Sequence, residues 1–222
     1  MTDYTIGDLH GRAPALRECL QKCSYDNDND KLIVLGDICD GYPWTNECFD
    51  ILEGIKNNVI VRGNHDEWTL RWMTDGAELP AWIHQGGYNT MLSYDFNFER
   101  VPKTHVDMIK NAPVYYIDSK NNIYCHGGFI PSQPIEKQSA DFILWDRTLC
   151  KHAYDMSIKG KEVHIKPYKH VFLGHTSTGF FTREYQPLIL GNVVMMDTGG
   201  GDVGVVTIMN VDTLKYWQSK AK

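Results

Sequence analysis

The sequence has no apolar run long enough to cross a bilayer, which excludes a helical membrane span. It has no excess of positive charge. Its 22 Lys and Arg face 28 Asp and Glu, for a net charge of −6, and that balance argues against a nucleic-acid binder working through surface charge, so no stable nucleic-acid partner is expected. Anionic substrates stay open, because bound metal ions invert a local field. The six cysteines, at 19, 23, 39, 48, 125 and 150, contain no CxxC pair. Cys19 and Cys23 stand at helical i, i+4 spacing and Cys39 and Cys125 in apolar strand ends, so they read as buried, reduced thiols of a cytosolic protein. There is no internal repeat and no low-complexity linker. An apolar segment begins almost at the first residue, leaving no room for a signal peptide; the expectation is a cytoplasmic chain with one domain over residues 1–222.

What is present is an alternation of short apolar strands and amphipathic helices. Strands are predicted at 3–7, 31–36 and 58–62, and helices at 13–23, about 45–56 and from 65 onward. This β-α-β-α order implies parallel strands with their carboxyl ends on one side, where such sheets bind ligands. Between about 76 and 112 the pattern dissolves into a segment read as a small helical cap insertion. Strand-like runs return at 113–118 and 122–126 around a Lys120-Asn121-Asn122 turn, and again at 170–173, 185–190, 193–197, 203–210 and 213–218. The acidic stretch DNDND at 26–30 imitates the start of a calcium loop. Lys31 stands where that loop needs glycine and an apolar strand fills its second half, so calcium is rejected there.

The chemistry gathers where strands end. GDLHG at 7–11 supplies Asp8 and His10, GDICD at 36–40 supplies Asp37 and Asp40, and RGNHD at 62–66 supplies Asn64 and His65. CHGG at 125–128 and GHT at 174–176 add His126 and His175. Carboxylates, imidazoles and an amide without thiolate suit hard or borderline divalent ions such as Mn, Fe or Zn. One carboxylate of GDICD can bridge metals while the other orients a histidine. His84, His105, His152, His164 and His170 lack such surroundings and read as surface or satisfied core residues.

The ordered set GDLHG, GDxxD, RGNHD, HGG, GHT resembles the calcineurin-like metallophosphoesterases, and within them it is most similar to the phosphoprotein phosphatases of the compact bacteriophage lambda type. The resemblance covers essentially the whole chain and implies a four-layer α/β/β/α sandwich with the metal site at the loops of one end. It implies two divalent ions, Mn first, with Fe, Zn, Ni or Co as alternatives. By position Asp8 and His10 hold the first ion, Asp37 bridges, and Asn64, His126 and His175 complete the second. His65 stands beside the leaving oxygen as general acid, oriented by Asp40. The implied reaction is phosphomonoester hydrolysis by direct attack of metal-bound hydroxide, with phosphoserine or phosphothreonine in protein as the first substrate reading. A small phosphoester or nucleotide (dinucleoside polyphosphate, cyclic nucleotide or nucleic-acid end) is the alternative, and a non-catalytic phosphate-binding protein ranks low.

The chain departs from the family at one place. The phosphoprotein phosphatases carry Asp-Arg-Gly where this chain has Asp40-Gly41-Tyr42. Arg147, in LWDR, and Arg62 remain as phosphate contacts beside Asn64, while Arg62 reads equally as a structural ion pair behind the loop. Arg12 and Arg71 are further arginines able to reach the vacancy. Tyr42 and Trp44 read either as a stacking surface or, preferably, as packing for the next helix. Restoring Gly41→Arg is expected to raise monoester turnover provided the glycine does not hold a positive φ that arginine cannot take.

Overall fold

The structure is a computed structural model and describes residues 1–220. It contains two five-stranded sheets. In the first the strand order is β10-β9-β1-β2-β3, with β1 Asp3–Ile6, β2 Lys31–Val34, β3 Asn58–Ile60, β9 Thr207–Asn210 and β10 Tyr216–Gln218. Strands β1, β2 and β3 are parallel, with Ile6 opposite Val34 and Val34 opposite Ile60, while β9 and β10 run antiparallel along the far edge. The second sheet is ordered β4-β5-β6-β8-β7, from β4 Tyr115–Ile117, β5 Ile123–Cys125, β6 Val171–Leu173, β7 Leu188–Leu190 and β8 Val193–Met195. Here β5, β6 and β8 are parallel and the two edges antiparallel.

Three apolar clusters define the layers. Ile33, Leu35, Val61, Tyr124, Phe172, Val194 and Met209 pack between the two sheets, which explains why the parallel strands carry apolar residues on both faces. Helices α1 Ala13–Lys22, α2 Thr45–Glu53 and α3 Asn64–Asp75 cover the outer face of the first sheet through Leu16, Phe49, Leu52 and Trp72. Helices α7 Ala140–Trp145 and α8 Thr148–Ser157 cover the second through Ile143, Leu149 and Ala153. The result is the expected α/β/β/α sandwich. These last two helices lie in a stretch for which the sequence predicted no element.

The segment between α3 and β4 is helical, as anticipated, but broken into short pieces. It comprises α4 Pro80–Trp82, a π-turn at Ile83–Gly87, α5 Tyr88–Ser93, a 3₁₀ turn and α6 Lys103–Asn111. Gly86 causes one break, with φ +107; a Cβ there would stand 2.3 Å from the Gly41 amide nitrogen. This turn is therefore pressed onto the loop that carries Asp37 and Asp40. The strand expected at 203–210 begins only at Thr207, because residues 199–204 are taken up by a glycine-rich turn with Gly199 and Gly204 at positive φ.

All six cysteines are free and buried, and burial pushes the Cys19 thiol up to about 12. No helix among the described residues is long and apolar enough to cross a membrane.

Candidate metal centre and active site

Six parallel strands, three from each sheet, end at one rim, and each delivers a polar residue there. Asp8 and His10 follow β1, Asp37 and Asp40 follow β2, and Asn64 and His65 open α3 just after β3. From the other sheet His126 follows β5, His175 follows β6 and Asp197 follows β8. Strong local constraint holds these loops together. Asp66 is 1% exposed and accepts bonds from the amides of Ile38 (2.9 Å), Cys39 (3.3 Å) and Gly63 (2.9 Å), tying the second motif to the third. His10, Asp37, Asp40 and His175 all have φ between +46 and +71. Such backbone in a residue with a Cβ costs about 1–3 kcal/mol and gathers at functional sites.

Ligand atoms of Asp8, His10 and Asp37 lie within 4.8 Å of one another, and so do those of Asp37, His126 and His175, with Asp37 common to both groups. His126 is fully buried; its Nδ1–H donates to the Leu35 carbonyl at 2.7 Å, which turns Nε2 toward Asn64 Oδ1 (2.9 Å) and Asp37 Oδ2 (3.2 Å). The His175 amide donates to the Asp8 carboxylate at 3.0 Å, and its buried Nε2 has no hydrogen-bond partner among the described residues. Glycines leave the carboxylates room. A Cβ on Gly63 would stand 2.1 Å from Asp37 Oδ1, and one on Gly174 2.4 Å from Asp8 Oδ1.

The electrostatics ask for a cation. Burial, reinforced by Asp197 and Asp37, holds the Asp8 carboxyl well above the usual range. Burial likewise raises Asp197 to about 6, with Asp37 contributing. At Asp37 burial opposes ionisation, yet the imidazoles of His126 and His65 outweigh it and hold that carboxyl well below its ordinary value. His126 is driven the other way: burial lowers it, Asp37 overrides, and its pKa rises to about 10. Burial lowers His10 to about 4 and His175 to about 3, so both imidazoles are neutral at neutral pH and able to accept a cation. Close carboxylates, neutral imidazoles, an amide oxygen and an orphaned imidazole nitrogen fit divalent ions as a donor set.

Beside this cluster stands a second constellation. His65 Nδ1 meets Asp40 Oδ2 at 2.7 Å. Asp40 is completely buried, and its carboxylate also accepts from Trp82 Nε1 (2.9 Å), Thr90 Oγ1 (2.8 Å) and Thr69 Oγ1 (3.2 Å). Burial lowers the His65 pKa, but Asp37 and Asp40 outweigh it and the net shift is upward. His10, His65, His175 and Asp197 line a cavity of about 420 Å³, together with Gly41, Gln85, Ser177, Phe180 and the 199–202 turn.

Arg147 reaches the rim. Asp146 accepts from the amides of Thr148 and Leu149 at the start of α8, and Arg147 Nη1 donates to the His175 carbonyl (2.7 Å) and Thr176 Oγ1 (3.2 Å). Arg62 is not brought there, which corrects the expectation of a phosphate contact. It pairs with Glu67 at 2.9 Å and donates to the carbonyls of Lys110 and Ala112, fastening the insertion to β3. Tyr42 and Trp44 stack on each other at 6.4 Å, with Trp44 preceding α2 and packed on its core. Neither lines the cavity, and the packing reading holds. Arg12 is buried with its guanidinium 4.6 Å above the Tyr42 ring, off the cavity wall, and Arg71 is exposed on α3.

Two contributors escaped the sequence reading. Asp197, in MDTGGG after β8, follows the same strand-end pattern as the other motifs and was visible by that rule. Trp82, fully buried, donates to Asp40 from the helical insertion, and no local pattern in the sequence marks that bond.

Residues 4–179 match the calcineurin-like phosphoesterase family. The symmetrical bis(5'-nucleosyl)-tetraphosphatase of Buchnera aphidicola subsp. Baizongia pistaciae is 28% identical over 158 residues, covering 70% of this chain and 54% of the relative. Serine/threonine-protein phosphatase 1 of Salmonella typhimurium is 30% identical over 84 residues, 38% of each chain. This chain thus spans about half the length of the tetraphosphatase it matches over the longer stretch. Among solved structures, one ascribed to a diadenosine tetraphosphatase superposes with a TM-score of 0.71 at 15% identity, covering 99% of this chain and 93% of that one. A metallophosphoesterase from Sphaerobacter thermophilus follows with a TM-score of 0.58 at 17% identity, covering 100% and 89%. At such identities the solved structures speak for the fold alone.

Three outcomes follow from this geometry. Asp37→Asn and His126→Ala are expected to lower bound divalent metal, read by elemental analysis of the purified variants; full metal content in either removes that residue from the ligand set. His126, raised to about 10, must shed its proton to become a ligand, so metal binding should release protons and tighten as pH rises from 6 to 8. Calorimetric titration in buffers of different ionisation enthalpy measures that release, and none would contradict it. Gly41 has φ +83 and a Cβ there would lie 3.2 Å from His10 Cβ, so the condition set for Gly41→Arg fails. That variant, and Gly41→Ala with it, should lose activity on monoesters and diesters alike through backbone strain of about 1 kcal/mol or more. A gain on a monoester would show that a vacant arginine position, not the backbone, decides.

Proposed function

This chain belongs to the calcineurin-like phosphoesterase family, and from that premise we propose that it hydrolyses phosphoesters with two divalent ions, acting on nucleotide phosphates and foremost on dinucleoside polyphosphates. The observation that carries the reaction class is the meeting, on one cavity, of two donor groups sharing Asp37 with the His65–Asp40 pair. The substrate class is supported by the Buchnera tetraphosphatase, which matches over 158 residues against 84 for the protein phosphatase. Phosphoserine or phosphothreonine in protein, first in the sequence reading, becomes the second reading.

In this proposal Asp8, His10 and Asp37 would hold one ion, and Asp37, Asn64, His126 and His175 would hold the other. Manganese is the first candidate, with Fe, Zn, Ni or Co as alternatives. When bound, the ions polarise the phosphoryl oxygens and lower the pKa of water toward about 7. The remaining work falls to the chain. Asp37 and Asp40 raise the His65 pKa against the opposing effect of burial and so favour its protonated form. His65 hands that proton to the leaving oxygen, and Asp40 holds the ring in place through its Nδ1. Trp82, Thr69 and Thr90 fix the Asp40 carboxylate, so the donor is aimed before substrate arrives. Arg147 spends Nη1 on the His175 loop and offers its remaining N–H groups to a phosphate oxygen, a charge-assisted contact suited to its planar fork.

The purified protein with manganese should show a higher kcat/KM for diadenosine tetraphosphate than for a phosphoserine peptide or a cyclic nucleotide. The reverse order would replace the proposed substrate class by the protein-phosphatase one. His65→Asn should slow ester substrates with poor leaving groups about 10²-fold or more. Its effect on p-nitrophenyl phosphate, whose leaving group needs little protonation, should be far smaller. Equal losses on both would remove His65 from the proton-donor role.

A further inference from the structure

We infer that Phe180 is the platform on which the base of a nucleotide substrate stacks, at the outer part of the cavity that holds the metal-ligand cluster; this rests on the nucleotide reading above. Phe180 is 81% exposed. Among the large apolar side chains left exposed in the described residues, it alone lines this cavity, which it shares with His10, His65 and His175. Its ring has no aromatic partner among the described residues, whereas its neighbour Phe181 packs on Tyr154 at 4.5 Å.

The turn that carries the ring is held in place. Phe180 belongs to α9 Gly179–Thr182, five residues beyond His175. The Tyr154 hydroxyl donates to the Phe181 carbonyl at 3.1 Å, so Phe181 anchors this single turn to α8. Gly179 lies so close to the Tyr185 ring that a Cβ would come within 2.3 Å. The Tyr185 hydroxyl in turn donates to Asp202, another residue of the cavity wall, at 2.8 Å. Phe181 and Tyr185 thus fix the turn from two sides and leave Phe180 projecting on its own. An exposed phenyl face, carried on a restrained turn beside the candidate metal site, is what a base needs, since every base has a π-face. Gln85, Ser177 and Asp202 line the same cavity and offer donors and acceptors for a base edge. The chemistry recognised is therefore a phosphate joined to a flat aromatic heterocycle. A phosphoserine side chain has none.

The test compares AMP with ribose 5-phosphate, which keeps the sugar and phosphate and carries a hydroxyl where AMP carries its base. Their dissociation constants are measured by calorimetry on the manganese-loaded protein, in a His65→Asn background that keeps both ligands intact. AMP should bind more tightly than ribose 5-phosphate. Phe180→Ala should weaken AMP by roughly 5- to 30-fold, the range expected for one lost stacking contact, and leave ribose 5-phosphate within about twofold. Phe180→Trp should retain AMP affinity. Phe180→Leu, which keeps apolar bulk without a ring, should behave like Phe180→Ala. Equal binding of the two ligands before mutation, unchanged AMP affinity in Phe180→Ala, or full affinity in Phe180→Leu would each overturn the inference. Failure of the nucleotide reading shows separately, as absent turnover of diadenosine tetraphosphate by the unmutated protein.

Discussion

Buried negative charge is the constraint on which this molecule turns. Asp8, Asp37 and Asp197 stand at one rim, each no more than 6% exposed, and no lysine or arginine among the described residues pairs with them. Ionised carboxylates out of water cost several kcal/mol each unless a positive charge meets them. The compensation comes above all from the imidazole of His126, with backbone N–H groups at Asp8 and Asp197 and the charge of Arg147 acting on Asp197, and imidazoles of this cluster could also serve a cation as donors. The fold concentrates the acids by ending six parallel strands from two sheets at one place. It then holds four of the loop residues in left-handed backbone that an unconstrained chain would leave.

Asp40 is a second point of concentration with a different solution. Its carboxylate is also fully buried, but it is met by hydrogen bonds from Trp82, Thr90, Thr69 and His65. Two of those donors, Trp82 and Thr90, come from the helical insertion, and the Gly86 turn presses on Gly41 beside them. The insertion is therefore part of what orients His65. The two carboxylates of GDICD differ in their surroundings: Asp37 stands in two groups that could hold a cation, whereas Asp40 accepts hydrogen bonds from Trp82, Thr90 and Thr69.

Much of this was legible in the chain. A buried strand ending in glycine and a polar residue, repeated along the sequence, marked Asp8, Asp37, Asn64, His126 and His175, because strand ends in parallel sheets are where side chains converge. The same rule covers Asp197, at the end of the strand expected at 193–197, although it stood outside the five motifs. Arg62 could not be placed from sequence, since its partners Glu67, Lys110 and Ala112 are set by how the insertion folds back. Gly41 was ambiguous for a related reason. A missing arginine and a required positive φ leave the same letter in the sequence, and only the backbone, at φ +83, separates them. Helices α7 and α8 were not anticipated, although their buried residues Ile143, Leu149 and Ala153 cover the second sheet.

The central claim is that two cations share Asp37, and anomalous scattering from manganese-soaked crystals tests it directly. The account predicts two peaks per chain, one among Asp8, His10 and Asp37 and one among Asp37, Asn64, His126 and His175. A third group of potential donors, Asp50, Glu53 and His105, lies elsewhere, and its histidine is already engaged by Tyr94 and Asp50 at 2.9 and 3.2 Å. Manganese at that group with none touching Asp37, or a single ion that leaves the buried carboxylates uncompensated, would contradict the account.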